Sequence, residues 1–179
     1  TSMLDKAGVV AKPVLISTRD HGFVREQIAI SSQFNYVSCL ASFNDKLILL
    51  DATERLLPTG VLPERCLNGS GLIISGSSHE WVNLESTVKS RFISSFDLSL
   101  AEDGNLTGKL VVDRSGFDGL YSRKSFFSKS EDEYVKDFVG SKPWEIASKE
   151  ITNVKDLTVP MKESYGLTIS ESATLAGTM

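Results

Sequence analysis

The sequence predicts a mainly β fold with minor α (α+β), laid out as two consecutive antiparallel units. Three observations carry this. Short β-branched runs recur between Gly, Pro and Asn punctuation. A period-two pattern runs from Phe92 to Val112, and one well-capped amphipathic helix begins at Ser130. With 179 residues, 41% hydrophobic and 23% charged, the chain has a globular profile and enough length for one good core or two small ones.

The first unit is expected over residues 1–84. Leu4 to Val10 reads as the end of a helix stopped at Gly8. Lys12 to Thr18 is a β-branched strand, with Pro13 placed at its start, where no ladder N–H is required. Arg19 to Ser32 is a long connection near the limit for an unstructured loop, which points to a functional or covering loop. Phe34 to Phe43 forms the second strand. Asn44-Asp45 turns the chain, and Lys46 to Leu50 returns antiparallel and ends at Asp51-Ala52-Thr53. Pro58, Gly60 and Pro63 make 56–67 an irregular or partly helical wrap, and 68–71 reads as a turn. Leu72 to Ile74 and Trp81 to Leu84 are short strands around a Gly76-Ser77-Ser78 loop.

The second unit, 85–179, opens with a strand whose Phe92, Phe96, Leu98 and Leu100 share one face. Glu102-Asp103-Gly104-Asn105 is a hairpin turn, and Leu106, Leu110 and Val112 continue the pattern on the return strand. One apolar and one polar face predict a sheet with one wet side. Phe117 to Phe127 reads as a helix weakened by Gly119. Ser130 and Glu133 make a capping box, Tyr134, Val135, Phe138 and Val139 form a stripe, and Gly140 followed by Pro143 ends the helix. That helix is expected to pack on the apolar sheet face. Trp144 to Ile151 and Ser164 to Ile169 complete the strands. The tail 170–179 is small and polar, and the last domain is expected to stop short of closure.

A net charge of −4 and a pI of ≈ 5.2, without a Lys/Arg cluster, argue against nucleic-acid binding. No apolar run reaches the roughly 18 residues needed for a spanning helix. Thr1 opens the chain without a signal-like apolar segment, and an upstream portion is expected. Cys39 reads as a small buried hydrophobe. Cys66 is left open, with a Cys39–Cys66 bridge as the alternative in an oxidising compartment. Two cysteines and two histidines so scattered make no zinc spacing, so no metal or organic cofactor is implied.

The segment from Leu4 to Gly76 nevertheless resembles the C-terminal portion of a transglutaminase-like core, in the bacterial branch that carries a further β-rich domain. The likeness rests on 7–19 (AGVVAKPVLISTR), on Phe34-Asn35-Tyr36-Val37, on Leu49-Leu50-Asp51-Ala52-Thr53 and on 62–69 (LPERCLNG), in order and at fitting distances. The Asp103-Gly104 hairpin and the Ser130 helix resemble the downstream domain, which has no known chemistry. The resemblance implies a papain-related fold with a Cys-His-Asp arrangement and acyl transfer through a thioester. It also implies a periplasmic or extracellular location.

On that resemblance Asp51 matches the orienting aspartate, and Tyr36 stands where histidine is usual. The nucleophilic cysteine would precede residue 1, since neither Cys39 nor Cys66 matches its place. Tyrosine, with a free pKa near 10, is a poor base for a thiol. His21 is a weaker alternative base, supplied if the 19–32 loop folds over the cleft. The bland readings stand beside these: Asp51 as a turn cap with Thr53, Tyr36 as a strand aromatic, and His21 and His79 as surface residues. Arg19 and Asp20 read as solvent-facing or binding polar residues at a strand end, and Trp81 and Trp144 as core or domain-interface residues rather than ligand platforms.

Three functions follow. The preferred one is a non-catalytic fragment with a protein or peptide interaction role. The second is part of a cysteine-dependent acyl-transfer enzyme (amide hydrolysis or crosslinking), and the third is a purely structural β module. An apolar surface left on the first sheet would also serve a homodimer.

Overall fold

The computed structural model describes residues 2–28, 30–44, 46–76, 78–86, 88–170 and 172, and for Ser78 the backbone only. The chain is a mixed α and β fold with two antiparallel sheets and two packed helices. It divides into compact units 1–88 and 89–179.

In the first unit a short helix α1 (Ser2–Lys6) leads through Gly8, at φ +76°, into β1 (Ala11–Ile16). Strands β2 (Tyr36–Phe43), β3 (Lys46–Leu50), β4 (Ser70–Ser75) and β5 (Ser78–Asn83) complete a sheet in the order β3-β2-β1-β4-β5. The turn residue Asp45 and the loop residue Ser77 lie outside the described residues. The 68–71 turn is shorter than expected, because β4 already begins at Ser70.

Pro13 is the third residue of β1 rather than its first. It is tolerated there because β4 meets β1 only at Val14 and Leu15, so no ladder partner faces Pro13 from that side. Opposite residues in an antiparallel ladder share a face. The pairs Ile16↔Tyr36, Val14↔Ser38, Leu40↔Leu49 and Val14↔Ile73 therefore define one side. Leu62, Cys66 and Leu84 cover that side, and Val14, Ile16, Cys66 and Leu84 are fully buried. Each such aliphatic side chain stabilises the unit by about 1.5–3 kcal/mol. Gly71 lets the layers close, since a Cβ there would stand 2.7 Å from Val14 Cγ1 and 3.0 Å from Leu84 Cδ2. The other face is more open and exposes Val37, Phe43 and Ile74.

The second unit holds β6 (Arg91–Leu100), β7 (Leu106–Ser115), β8 (Trp144–Thr152) and β9 (Met161–Ile169) in the order β6-β7-β9-β8. Helix α2 (Gly116–Ser128) and helix α3 (Glu131–Val139) lie between β7 and β8 in the chain. Both bonds of the Ser130/Glu133 capping box form, and Gly140 ends α3 at φ +57°. As expected, α3 packs on the sheet. Tyr134 and Val135 join Leu110, Val112, Met161, Tyr165 and Leu167 in the core, and Phe138 stacks on Tyr165 with ring centroids 5.2 Å apart.

Two departures stand out. β9 starts at Met161, three residues early, and its inward set Met161, Glu163, Tyr165, Leu167 places a carboxylate in the core. Glu163 is fully buried, and three donors meet it: Arg114 Nε at 2.7 Å, Tyr134 OH at 2.7 Å and Tyr165 OH at 2.7 Å. A buried charge with such partners is tolerated where an unpaired one is not. Second, the apolar face of β6 is not closed. Phe92 stays 51% exposed and Phe96 47%, because β6 is an edge strand.

Candidate functional site

The polar end of the first sheet is built where β1 and β3 end and β2 begins. Tyr36 opens β2 opposite Ile16, and Asp51 follows directly on β3. The Tyr36 hydroxyl donates to Asp51 Oδ2 at 2.5 Å and lies 2.9 Å from Thr53 Oγ1. Thr53 in turn donates to Asp51 Oδ1 from its backbone N–H at 2.8 Å and from its hydroxyl at 2.5 Å. Asp51 thus acts as the local cap the bland reading foresees and also binds Tyr36.

Arg65 completes the cluster. Its Nη2 donates to Thr53 Oγ1 at 2.7 Å and to Tyr36 OH at 3.2 Å, and its guanidinium carbon lies 5.2 Å from the Tyr36 ring centroid. Glu54 pairs with it at 3.9 Å. Arg65 comes from the short 3-10 turn Glu64–Cys66, which is anchored by the Arg19 N–H donating to Arg65 O at 2.9 Å. Arg19 also spans from Leu67 O at 2.9 Å to Glu64 at 3.3 Å. Asn35 orients the end of β1 through Thr18, accepting from its N–H at 2.9 Å and donating to its hydroxyl at 2.7 Å. Asp20 accepts from the Thr18 hydroxyl at 2.5 Å, and this bond holds its carboxyl below the ordinary range.

The electrostatics keep both Tyr36 and Arg65 protonated near neutral pH. Burial, then the bond to Asp51, pushes the Tyr36 phenol above its ordinary value, and the bonds from Thr53 and Arg65 only partly offset this. Burial works against the charge on Arg65, but the bond to Tyr36 together with the charges of Tyr36, Cys66 and Asp51 outweighs it, and the guanidinium is raised. Cys66 lies buried in the same neighbourhood. Its thiol is pushed up to about 11, first by burial and then by the Asp51 charge, so it is not a thiolate near pH 7.

Tyr36 and Asp51 are therefore brought together. His21 takes no part in the bonds described around them. Its Nε2 lies 3.0 Å from Ser32 O, within its own loop, where it lines a surface cavity of ≈ 330 Å³ with Phe23, Arg25 and Ile28. His79 is exposed on β5. Cys39 and Cys66 are free thiols, and Cys39 is only half-buried where full burial is expected, because its side chain lies on the open face of the sheet. Arg65 carries no periodicity or motif of its own and is missed by sequence reasoning. Its only signal is its place inside the 62–69 segment that carries the resemblance. A separate cleft of ≈ 410 Å³, lined by Leu40, Leu49, Leu62, Ile73 and Leu84 among others, includes neither Tyr36 nor Asp51. Among the described residues, no group of three or more His, Cys, Asp or Glu is placed to hold a metal ion. No helix among them is long and apolar enough to cross a membrane.

Comparison with known proteins adds no name to this site: no family model, no curated protein and no solved structure matches the chain.

Proposed function

We propose that this chain is a non-catalytic part of a transglutaminase-like protein and that its Tyr36–Asp51–Arg65 face recognises protein or peptide. The observation that carries the reading is the 2.5 Å bond from Tyr36 to Asp51, the two positions that the resemblance gives to the base and its orienting carboxylate. A neutral phenol does not take a proton from a thiol near pH 7, and a guanidinium cannot. What the cluster offers is a hydroxyl and a partly exposed guanidinium at a sheet end. Such groups suit the carbonyls and side-chain amides of an extended peptide. Val37, Phe43 and Ile74, open on the other face of the same sheet, fit the expected partner or homodimer surface.

The test is a titration of the 179-residue chain with an unfolded, glutamine-containing peptide, followed by NMR and by mass spectrometry. The reading expects shifts at residues 36, 53 and 65, their loss in Arg65→Ala, and no covalent adduct. An acyl adduct on Cys39 or Cys66 would overturn it. Absence of binding would leave the structural-module reading in its place.

The same Asp51 placement also fits the second reading, a portion of a cysteine-dependent acyl-transfer enzyme. That reading requires a longer polypeptide with an upstream cysteine, whose amide hydrolysis or crosslinking activity falls in Asp51→Ala. An extracytoplasmic location belongs to both readings and is tested by fractionating the source cells.

A further inference from the structure

Strand β6 is ten residues long and lies at the edge of its sheet, so among the described residues one side of its backbone has no strand partner. Edges of this kind are normally protected by bulges, proline, charge or shortness. The opposite edge, β8, is protected in this way: it has a register shift between Ile146 and Ser148 and carries Glu145, Lys149 and Glu150. β6 carries two charges, Arg91 and Asp97, but has neither bulge nor proline, and it pairs with β7 without interruption from Arg91 to Leu100. Both of its faces are open: Phe92 is 51% and Phe96 47% exposed on the apolar face, and Ile93 is 51% exposed among Arg91, Ser95 and Asp97 on the polar one.

We infer that β6 is a self-association edge whose partner is β6 of a second copy of this chain, paired antiparallel about a two-fold axis at Ser94. The choice of partner rests on self-complementarity. Antiparallel edges can join only where residues of equal parity face each other, because backbone groups alternate in direction along each strand. About Ser94, Arg91 faces Asp97 of the second copy, Phe92 faces its Phe96, and Ile93 faces its Ser95. One register thus satisfies an opposite-charge pair and an aromatic pair, and the two-fold repeats both. Arg91 and Asp97 are exposed, and Asp97 lies opposite Lys109 within its own sheet, so the second copy's Arg91 would complete a cation on each side of the carboxylate. Cross-strand pairs of these two kinds are among those that stabilise antiparallel ladders. The result is a continuous eight-stranded sheet, four strands from each copy. Seven paired residues make a small interface, well under the roughly 1,600 Å² of a standard complex, so the dimer forms and dissociates with concentration.

The test is sedimentation equilibrium of the full chain across a concentration series, beside two charge variants and two cysteine variants. Wild type should pass from monomer to dimer. Asp97→Arg places two arginines face to face twice per dimer and should weaken association about tenfold. Arg91→Asp combined with Asp97→Arg restores opposite charges and should recover it. Under mild oxidation S94C should cross-link copy to copy, because facing residues lie about 4.5–5.5 Å apart at Cα, whereas S95C should not. Peptide mapping excludes bridges through Cys39 or Cys66. A wild-type monomer at every concentration would overturn the inference. So would a dimer unmoved by Asp97→Arg, failure of the charge swap to rescue, or cross-linking through S95C in place of S94C. Each variant is read only where its thermal melt matches that of wild type, which these exposed positions are expected to allow.

Discussion

Tyr36 and Asp51 face each other at the ends of neighbouring strands, with the phenol donating to the carboxylate at 2.5 Å and Thr53 holding the other carboxylate oxygen. Removing the hydroxyl leaves a partly buried acceptor short of a charge-assisted bond. Tyr36→Phe is therefore expected to destabilise the first unit by about 1–2 kcal/mol, towards the low end for such bonds because water reaches the site. Asp51→Ala, which also frees the Thr53 N–H, should cost at least as much. Urea unfolding of the two variants measures both. Equal midpoints for Tyr36→Phe and wild type would mean that the bond contributes nothing in solution.

Cys66 supplies a chemical test of the same region. Its thiol is fully buried and raised to about 11, so neither access nor ionisation favours reaction. Alkylation by iodoacetamide at pH 8 should proceed at Cys39 and leave Cys66 unmodified until the chain is unfolded in urea. The raised value also sets a sign: the folded state holds this proton more tightly, so the contribution is intact below the ordinary thiol pKa near 8.5 and fades as pH climbs towards 11. Rapid native labelling of Cys66 would contradict the placement of the 64–66 turn.

In the second unit, the two tyrosines on Glu163 predict how alkali unfolds the protein. Burial first, and then Glu163, raise Tyr134 and Tyr165, while Arg114 pulls the other way. Ionising either phenol would set a second negative charge against a carboxylate with no exposure. Unfolded tyrosine titrates near 10, so the folded state binds more protons above that pH. This contribution to stability is intact below about pH 10 and is lost progressively as pH climbs from there towards the raised folded-state values. Tyrosinate absorbance should therefore include a late, cooperative phase that coincides with loss of the circular-dichroism signal. Tyr165→Phe should shrink the late phase while starting from lower stability. A single smooth titration without unfolding would refute this.

The strands and the α3 cap were legible because local chemistry decided them. Ser130 and Glu133 need only each other, and the alternation of Leu110 and Val112 reports directly which side is apolar. Periodicity reports a face but not its cover, and so Phe92 and Phe96 read as core although the edge position of β6 leaves them half open. Glu163 was illegible for the opposite reason. Lys162-Glu163 looks like the polar start of a strand, and what makes its burial tolerable lies 49 and 29 residues away in Arg114 and Tyr134. At the candidate site, Tyr36 and Asp51 could be paired from neighbouring strands. Arg65 arrives from an irregular segment, where no period indicates a direction.

Arg123 is a second long-range anchor that the sequence hides. It sits on α2 almost wholly buried, and its Nη2 donates to Asn153 O at 3.1 Å, Asp156 O at 2.9 Å and Val159 O at 2.9 Å. Burial lowers its pKa and Asp156 partly offsets that, yet an arginine stays charged at any working pH. One guanidinium thus gathers three carbonyls of the β8–β9 connection, which is otherwise tied by Asn153 Nδ2 donating to Pro160 O at 3.1 Å. Arg123→Met keeps the apolar stem and removes the donor. The carbonyls then turn to water, and the connection opens without unfolding the sheet. A global loss of about 1–3 kcal/mol is expected, together with tryptic cleavage at Lys155 faster by roughly tenfold or more, since each 1.4 kcal/mol of local opening is worth that factor. Timed proteolysis with mass mapping reads the site of cutting. Unchanged cleavage at Lys155 would show that the Asn153 bond and the sheet hold the connection without Arg123.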